Sequence, residues 1–508
     1  MEYKKIKTLG RGSYSDIVSV EVKTNVSAMK IFKDEQNFEN GVPYHMIRET
    51  AILKNIRSPY VISLLDIDYK NFEYILLPKY SCSLNNFLKN NVLTESQMRN
   101  MFSKICLGIY TLHCSGIIHR DIKPSNICIS ESLVHNLTDI NRLKVVLIDA
   151  GLSRSINYNR EYGGKTPRMC SYYYRPPEVI CNYQNYSFEM DVWSAGCILG
   201  EICLGEILFK EKTEIALLNK QAKLVGVPEI CPFNLPDFIP KYSGELKNYF
   251  YDETYELISG MLKFNPLKRL TIAACLNSSY FSFGTTYLET EFQYNKYLLD
   301  WRPNQYYGKS INHDITFKMR RIIVLWMNSI CFEFKMEDST FFLAVMIMDF
   351  FCIVNATYIT KHNFQLVALG CLLIASKINS PHPFYMGDLL DDCKEGDQDT
   401  YTYLDLIKIE KLILKSSNFN LLFPTFSNYI SLYSERKEEL SLYLTVCILQ
   451  PDYLKYNFAI ITATCYKIII GNNNFENYEC SQDVQKWIKD YDENQDELIQ
   501  FKFDKFLS

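Results

Sequence analysis

The first third of the chain holds residues whose types and spacing suit the handling of phosphate. Gly10 and Gly12 stand between two predicted strands, where backbone amides can approach a polyphosphate. Lys30 ends an apolar strand and Glu49 follows on the next predicted helix. The lysine is therefore either a solvated strand end or a phosphate clamp held by that carboxylate. Two polar runs follow much later in the chain, at residues 119–126 and 148–151.

These side chains suit the transfer of a phosphoryl group, which depends on positioning and charge neutralisation more than on covalent catalysis. Asp121 can accept the proton of a substrate hydroxyl, and Lys123 can steady the γ-phosphate. Asn126 and Asp149 can ligate magnesium, a hard ion that prefers oxygen. Together they predict a site for ATP and Mg²⁺.

Length and composition are those of an ordinary globular protein of about two to four domains. The 508 residues are 47% hydrophobic and 22% charged. With 54 basic and 58 acidic residues the net charge is −4, which argues against a dedicated nucleic-acid or membrane-surface binder. The 17 cysteines form no CxxC pair, which argues against a zinc cluster and suits a reducing compartment. The N-terminus lacks a signal-peptide pattern, so we expect a soluble protein of the cytoplasm, the nucleus or both.

The pattern of apolar residues divides the chain into a mixed part and a helical part. Up to about residue 95, short alternating runs predict antiparallel strands, interrupted by one helix over 43–56. From about 95 to 281 the pattern is mainly helical, and the stretch from about 282 to 312 lacks periodicity. Beyond it we predict four helices and then a further helical set, the four being 316–334, 337–355, 360–377 and 400–417.

Taken in order, these motifs resemble the signature of the protein kinases. The HRDxKxxN spacing of residues 119–126 is highly specific. The match continues through the runs 174–178 and 191–196 and through Arg269. The resemblance implies a bilobal kinase fold of the α+β class, in which Glu178 pairs with Arg269 and Asp191 braces the catalytic loop.

The same resemblance assigns catalytic and nucleotide-binding positions. Asp121, Lys123 and Asn126 would be catalytic, and Asn126 and Asp149 would hold the metal. The ATP-binding residues would be Gly10, Gly12, Ile17, Lys30, Glu49, Leu77, Lys79 and Tyr80. The departures from the pattern are Ser15 for a glycine, Ala150 for a phenylalanine and Pro176 for an alanine. We expect Ala150 to leave a gap beside the helix over 43–56.

Residues 41–49 resemble the cyclin-binding helix of cyclin-dependent kinases, changed in its middle. Thr166 falls where that family carries an activating phosphothreonine, and the arginines that would gather round the phosphate are Arg48, Arg120 and Arg154. Ser171 matches the threonine that helps to bind the phosphoacceptor.

Two further features of the kinase part follow from this resemblance. Arg175 belongs to the loop associated with proline directly after the acceptor, so Ser/Thr-Pro substrates are expected. Ser13 and Tyr14 are either inhibitory phosphosites or two unmodified loop residues.

The helical half resembles a cyclin, with a first cyclin box over 313–424 and a second, degenerate one over 425–508. Arg320 and Asp349 would form an internal salt bridge. Lys377 and Glu410 would hydrogen-bond the kinase backbone at 42–44, with Ile47 inserted into the cyclin surface. Four residues match the groove that docks substrates, with a plain apolar core stripe as the alternative explanation: Met319, Ile322, Trp326 and Gln365.

The chain therefore resembles a cyclin-dependent kinase fused to its own cyclin. The expected domains are a kinase over 1–285, divided into lobes 1–80 and 81–285, a linker over 286–312, and the two cyclin boxes. The resemblance implies a serine/threonine kinase with protein substrates, activated in cis and by an upstream kinase, with no nucleic-acid or membrane partner. Two alternatives remain, a catalytically inactive scaffold and a kinase whose helical half binds an external kinase. A role in the cell cycle and one in transcription are equally compatible with the sequence.

Overall fold

The computed structural model describes residues 3–12, 14–33, 41–130, 143–155, 170–183, 186–281, 293–294, 296–298, 301, 315–393, 400–433, 435–471 and 480–493. These residues form two compact units. The first contains the described residues up to 294 except Gly41, and the second contains Gly41 and the described residues from 296 onwards. The first unit is of the α+β class, with a sheet-rich lobe followed by a helical lobe, and the described part of the second is helical. The predicted fold class is confirmed.

An antiparallel sheet of five strands forms the first lobe, in the order β1-β2-β3-β5-β4. The strands are β1 (Lys4–Arg11), β2 (Ser15–Val22), β3 (Asn25–Phe32), β4 (Asp66–Ile67) and β5 (Tyr74–Pro78). Alternate residues of β2 and β3, including Val18, Val20 and Met29, pack with Leu76 of β5 in one apolar cluster. This period of two residues is the pattern from which the strands were predicted.

Helix α1 (Tyr44–Asn55) connects β3 and β4. Pro43 is its N-cap, one position earlier than the predicted first turn, and Ile56 caps its C-terminus. A proline suits this end because the first amides of a helix lack internal acceptors. The helix is buried from His45 to Leu53, and it packs against the short 3-10 segment Ala150–Leu152.

The second lobe of the first unit is built around seven helices in its described residues. They are α2 (Leu84–Asn90), α3 (Glu95–Cys114), α4 (Pro177–Ile180), α5 (Glu189–Leu204), α6 (Glu214–Val225), α7 (Asp252–Met261) and α8 (Ile272–Leu276). A capping box between Thr94 and Gln97 begins α3, and Gly205, with φ +74°, ends α5.

Five short strands lie within this second lobe, and four of them fall in the stretch from about 95 to 281 that the pattern predicts to be mainly helical. They are β6 (Cys82–Ser83), β7 (Ile117–Ile118), β8 (Ile127–Ile129), β9 (Val145–Leu147) and β10 (Arg154–Ser155). β6, β8 and β9 form one small sheet, and β7 pairs with β10. Runs of two or three residues are too short to show a period, so the pattern could not reveal them.

A buried ion pair ties α4 to the loop before α8. Nη1 and Nη2 of Arg269 each lie 2.6 Å from a carboxylate oxygen of Glu178. The guanidinium also lies over the ring of Trp193, 5.0 Å from its centroid. The predicted pair is confirmed as a two-pronged contact, and removing one partner would leave a buried charge uncompensated.

The second unit contains nine helices in its described residues. They are α9 (Phe317–Glu333), α10 (Asp338–Val354), α11 (Phe364–Asn379), α12 (Met386–Asp391), α13 (Tyr403–Ser416), α14 (Phe426–Ile430), α15 (Lys437–Ile448), α16 (Phe458–Ile469) and α17 (Ser481–Glu493). Three of the four predicted helices match α9, α10 and α13. The predicted start of α11 at residue 360 is wrong, because the side chain of Asn363 accepts the amide of Thr360 in a turn before the helix.

Arg320 and Asp349 join α9 to α10 inside the second unit. Nε and Nη2 of Arg320 lie 2.9 Å and 2.7 Å from the two carboxylate oxygens, which confirms the predicted salt bridge. Tyr453 also donates to Asp349, and Arg320 donates to the carbonyl of Ile448. The pair therefore connects three parts of the helical unit. Within the described residues, we find no helix with the length and apolarity needed to span a bilayer.

Candidate active site

Lys30 lies between two carboxylates in the first unit. Its Nζ is 2.6 Å from Oε2 of Glu49 and 2.7 Å from Oδ1 of Asp149. Because β3 carries the lysine and α1 carries Glu49, the contact holds the helix against the sheet. Lys30 and Glu49 are buried, whereas 43% of the Asp149 side chain is exposed. The predicted Lys30–Glu49 pair is therefore formed, and the carboxylate beside it faces solvent.

The charges of this group shift the pKa of each member. Burial alone would lower the pKa of Lys30, but Glu49 and Asp149 together raise it above its ordinary value. Burial would raise the pKa of Asp149, yet the ammonium of Lys30 lowers it to about 2. Burial raises the pKa of Glu49 to about 7, because Lys30 offsets only part of the desolvation. Lys30 and Asp149 are thus charged at neutral pH, while Glu49 is close to its titration point.

Asp121 is held by contacts on both carboxylate oxygens. The backbone amide and the hydroxyl of Ser171 donate to Oδ1 at 3.1 Å and 2.9 Å. Nδ2 of Asn126 donates to Oδ2 at 2.9 Å, and Nζ of Lys123 lies 2.7 Å from the same oxygen. Lys123 also donates to the hydroxyl of Ser171 at 2.7 Å. The structure thus brings together the three predicted catalytic residues and Ser171.

The backbone around Asp121 is fixed by a second buried carboxylate. Asp191 on α5 accepts the amides of His119 and Arg120 at 2.7 Å and 2.9 Å, and it also contacts the ring of His113. Arg120 has a left-handed backbone with φ +65°. The predicted bracing of this loop by Asp191 is confirmed, and it stabilises a backbone conformation that costs energy for a residue with a side chain.

Arg48, Arg120 and Arg154 are close enough to influence one another. Burial and the charges of Arg120 and Arg154 lower the pKa of Arg48 to about 9. Arg120 also donates to the carbonyl of Leu152 at 2.6 Å. Thr166, the predicted phosphosite for this cluster, lies outside the described residues, as does Ser13, so their roles stay predictions.

The remaining predicted nucleotide-binding residues border the space beside Lys30. Ile17 is the cross-strand neighbour of Lys30 on β2, and Leu77 is buried on β5. Lys79 and Tyr80 directly follow β5 and are partly exposed. Gly10, in the last part of β1, and Gly12, in the turn that follows, are both exposed. This places all eight predicted residues in the sheet lobe or at its edge, and their contacts with ATP stay a prediction.

The predicted contact residues of the second unit form two groups. Nζ of Lys377 on α11 lies 2.5 Å from Oε1 of Glu410 on α13, and both side chains are buried. Of the proposed docking groove, Trp326 is buried, while the other three residues are partly exposed: Met319, Ile322 and Gln365. In the first unit, Ile47, the predicted interface residue of α1, is fully buried. The docking and interface roles of these residues stay predictions.

Two residues beside the site were missed from the sequence. Cys170 has a left-handed backbone, with φ +65°, and its carbonyl accepts a hydrogen bond from Nη2 of Arg175 at 3.0 Å. His45 lies against the carbonyl of Gly151, with 3.3 Å between Nδ1 and the oxygen, in the region where Ala150 was expected to leave a gap. The only sequence signal for His45 was the altered middle of the run 41–49, and Cys170 gave none.

Comparison with known proteins shows which family this chain belongs to. The protein kinase domain matches residues 3–281, which is more than half of the chain. The chain belongs to the protein kinase family. The N-terminal domain of the cyclins matches residues 291–422, so a kinase domain and a cyclin domain stand in one polypeptide. This is the organisation of a cyclin-dependent kinase fused to its cyclin, and the chain is a cyclin-dependent serine/threonine protein kinase that uses ATP.

The kinase is similar to curated proteins of several kinds. It is 28% identical to a probable CTD kinase subunit alpha homolog of Encephalitozoon cuniculi, over 55% of this chain and 84% of the relative. It is 28% identical to cyclin-dependent kinase 2 of Caenorhabditis elegans, over 54% and 77%. It is 27% identical to mitogen-activated protein kinase 12 of the mouse, over 55% and 78%.

Replacing Glu49 with glutamine should lower kcat/KM for ATP roughly 10- to 100-fold, because Lys30 would lose the partner that orients it. In the native kinase the contact should weaken as the pH falls through about 7, where Glu49 gains a proton. The acid limb of the kcat/KM profile should thus be weaker in the variant than in the native chain. The measurement is a steady-state assay across that pH range at fixed peptide. Glu21→Gln, which changes an exposed carboxylate on β2, is the control, and an unchanged acid limb in Glu49→Gln would contradict the prediction.

Proposed function

We propose that this kinase transfers the γ-phosphate of ATP, with Mg²⁺, to serine or threonine residues that are followed by proline. We further propose that its own cyclin domain activates it in cis and that phosphorylation of Thr166 by an upstream kinase raises its activity. The observation that supports this substrate class is a hydrogen bond from Arg175 to the carbonyl of Cys170, which lies close to the proposed base Asp121.

Asp121 is the proposed base for the substrate hydroxyl. Its Oδ1 shares contacts with Ser171, so an incoming serine or threonine hydroxyl would replace or join a hydroxyl that already hydrogen-bonds there. Lys123, 2.7 Å from Oδ2, balances the carboxylate and can steady the transferred phosphate. Positioning of the hydroxyl against the γ-phosphate is then the main task of this loop.

Asp149 and Asn126 fit a magnesium ion by the chemistry of their donors. Both offer side-chain oxygens, which Mg²⁺ prefers. The Asp149 carboxylate is partly exposed and stays charged at neutral pH, since Lys30 lowers its pKa to about 2. Asn126 turns its Nδ2 towards Asp121, which leaves its Oδ1 for another partner. When bound, the ion would neutralise charge on the phosphates of ATP.

The backbone near Asp121 supports a preference for proline after the acceptor. Ser171 contacts Asp121, so Cys170 lies one residue from the place where the acceptor must bind. The backbone of Cys170 is left-handed, and its carbonyl accepts a hydrogen bond from the side chain of Arg175. A substrate residue with an amide would find no acceptor there, and an unsatisfied amide costs about 1–3 kcal/mol. Proline has no amide hydrogen and avoids that cost.

Comparison of two peptides that differ only after the acceptor tests this proposal. We expect the full chain to favour a Ser-Pro peptide over a Ser-Ala peptide roughly 10- to 100-fold in kcat/KM. Arg175→Leu frees the carbonyl of Cys170, so the preference should shrink mainly because the Ser-Ala peptide improves relative to Ser-Pro.

Glu214→Gln is the matched control for the peptide comparison. Glu214 lies 2.6 Å from Nη1 of Arg175, whereas the bond to Cys170 comes from Nη2. This variant removes a charge beside Arg175 and leaves the bond to Cys170, so it should keep the preference. Equal use of both peptides by the native chain would refute the proposed substrate class, and no transfer to either would refute the proposed function.

Activation by the cyclin domain in cis is supported by the presence of both domains in one chain. Joining two binding partners raises their effective concentration to about the millimolar range when the linker permits contact. The buried Lys377–Glu410 pair of the cyclin domain is the proposed contact with the kinase backbone at 42–44.

The grouping of three arginines supports Thr166 as an activating phosphosite. Burial and the nearby charges of Arg120 and Arg154 lower the pKa of Arg48, so the charged form of Arg48 is disfavoured. A phosphate with nearly two negative charges would relieve that repulsion. We also propose that the kinase works in the cytoplasm, the nucleus or both, since none of its 17 cysteines forms a disulfide bond.

A further inference from the structure

The ring of His45, near the start of α1, is packed between two tyrosines. The ring centroids of Tyr14 and Tyr44 each lie 3.9 Å from that of His45, with interplanar angles of 38° and 35°. Only 7% of His45 is exposed, whereas Tyr14 is 42% exposed. A buried imidazole thus connects α1 to the turn between β1 and β2.

The polar edge of the same ring faces the segment that follows Asp149. Nδ1 of His45 lies 3.3 Å from the carbonyl oxygen of Gly151. Burial and the charge of Arg48 lower the pKa of His45 to about 4, so the imidazole is neutral and Nδ1–H donates to this carbonyl. Nε2 is buried and has no hydrogen-bond partner among the described residues. The imidazole therefore keeps one directed bond and leaves its other nitrogen unsatisfied.

These contacts join three parts of the chain to which the proposed function assigns nucleotide binding. Tyr14 belongs to the turn with Gly12, and its carbonyl accepts the amide of Lys33 at 2.9 Å. Glu49 stands four residues after His45, on the same face of α1. A Cβ built on Gly151 would lie 3.6 Å from both Glu49 and His45, which shows how closely the three residues approach.

We propose that His45 is a positioning residue, which couples the turn carrying Tyr14 to the segment 149–151 through α1. The position of Tyr14 then depends on α1, which also holds Glu49 against Lys30. This inference rests on the proposed function, because it assigns His45 a role in binding ATP for that reaction. His45 acts through its neighbours and does not take part in the chemistry.

A double-mutant cycle on the full chain tests the coupling. The variants are His45→Ala, Tyr14→Ala and the combination, assayed for kcat and for KM of ATP with a saturating Ser-Pro peptide. Each single variant should raise KM about 3- to 10-fold, the scale of one aromatic contact, and change kcat less. The double variant should raise KM no more than the larger single effect, because both changes break one contact.

Conservative variants separate the two contacts of the ring. His45→Phe keeps the stack and loses the donor, whereas His45→Asn keeps an N–H donor and loses the stack. We expect His45→Phe to keep the coupling to Tyr14 and His45→Asn to lose it. His362→Ala, which removes an exposed imidazole in the second unit, should leave KM unchanged.

Additive effects of the two single variants, or an unchanged KM, would overturn the inference. A fall in the thermal midpoint without a change in KM would also overturn it, since that outcome describes a merely structural residue. Calorimetric binding of Mg²⁺ with a non-hydrolysable ATP analogue to the same chains distinguishes the two proposals. If the native chain binds the analogue but phosphorylates no peptide, the proposed function fails. The double-mutant cycle measured on the affinity for the analogue then still decides the role of His45. If it binds no nucleotide, both fail.

Discussion

Asp121→Asn should lower kcat roughly 1000-fold and leave KM for ATP nearly unchanged. The amide keeps the size of the carboxylate and can still accept from Ser171. It cannot take up the proton of the substrate hydroxyl, and it removes the charge that Lys123 balances at 2.7 Å. Steady-state phosphorylation of a Ser-Pro peptide by the full chain measures both constants.

Ser171→Ala is the matched control for this result. It removes the hydroxyl that contacts Asp121 and Lys123 but leaves the carboxylate in place. We expect a loss of about 10-fold or less, the scale of one hydrogen bond. If Asp121→Asn kept a tenth of the native kcat, Asp121 would not be the base, and a fully inactive native chain would favour the scaffold alternative.

The double variant Lys377→Met/Glu410→Gln should lower kcat/KM roughly 10- to 100-fold, if this pair holds the cyclin domain to the kinase backbone. Changing both residues avoids leaving one buried charge without its partner. Lys408→Met is the control, because this lysine lies on the same helix, α13, with a 76% exposed side chain. Native-like activity of the double variant would support the alternative in which the helical half serves an external kinase.

Dilution and mixing distinguish activation in cis from activation between chains. The specific activity of the native chain should not change on dilution, because an intramolecular contact does not depend on concentration. Mixing the double variant with Asp121→Asn supplies an intact cyclin domain on a separate, inactive chain. Rescue should be weak and should grow with concentration, and full rescue at low concentration would contradict activation in cis.

Much of the fold and the charged site follows from patterns that are local in the sequence. The strands around Val18 and Met29 place alternate apolar residues on one face, so the burial of that face follows from the period of two. Lys30 and Glu49 are 19 residues apart, but each lies on an element, β3 or α1, that can be recognised alone. The same is true of Arg320 and Asp349, which belong to neighbouring predicted helices.

The parts that could not be predicted depend on tertiary approach or on backbone conformation. Tyr14 and His45 are 31 positions apart, and no period links a turn to a helix that packs beside it. The φ of Cys170 is imposed by its surroundings, since neither its type nor its neighbours favour a left-handed backbone. The start of α11 depended on the side chain of Asn363, which competes with the helix for the backbone.

The left-handed backbone at Arg120, Asp149 and Cys170 limits how these positions can drift during evolution. Their φ values are +65°, +66° and +65°. Each conformation costs about 1–2 kcal/mol for most residues with a Cβ and little for glycine, and asparagine and aspartate tolerate it. Among substitutions at these positions, glycine, asparagine and aspartate therefore destabilise the fold least, and β-branched residues are the least tolerated. At Cys170, replacement by glycine would permit the same backbone conformation, so the proposed preference for proline would survive the loss of the cysteine.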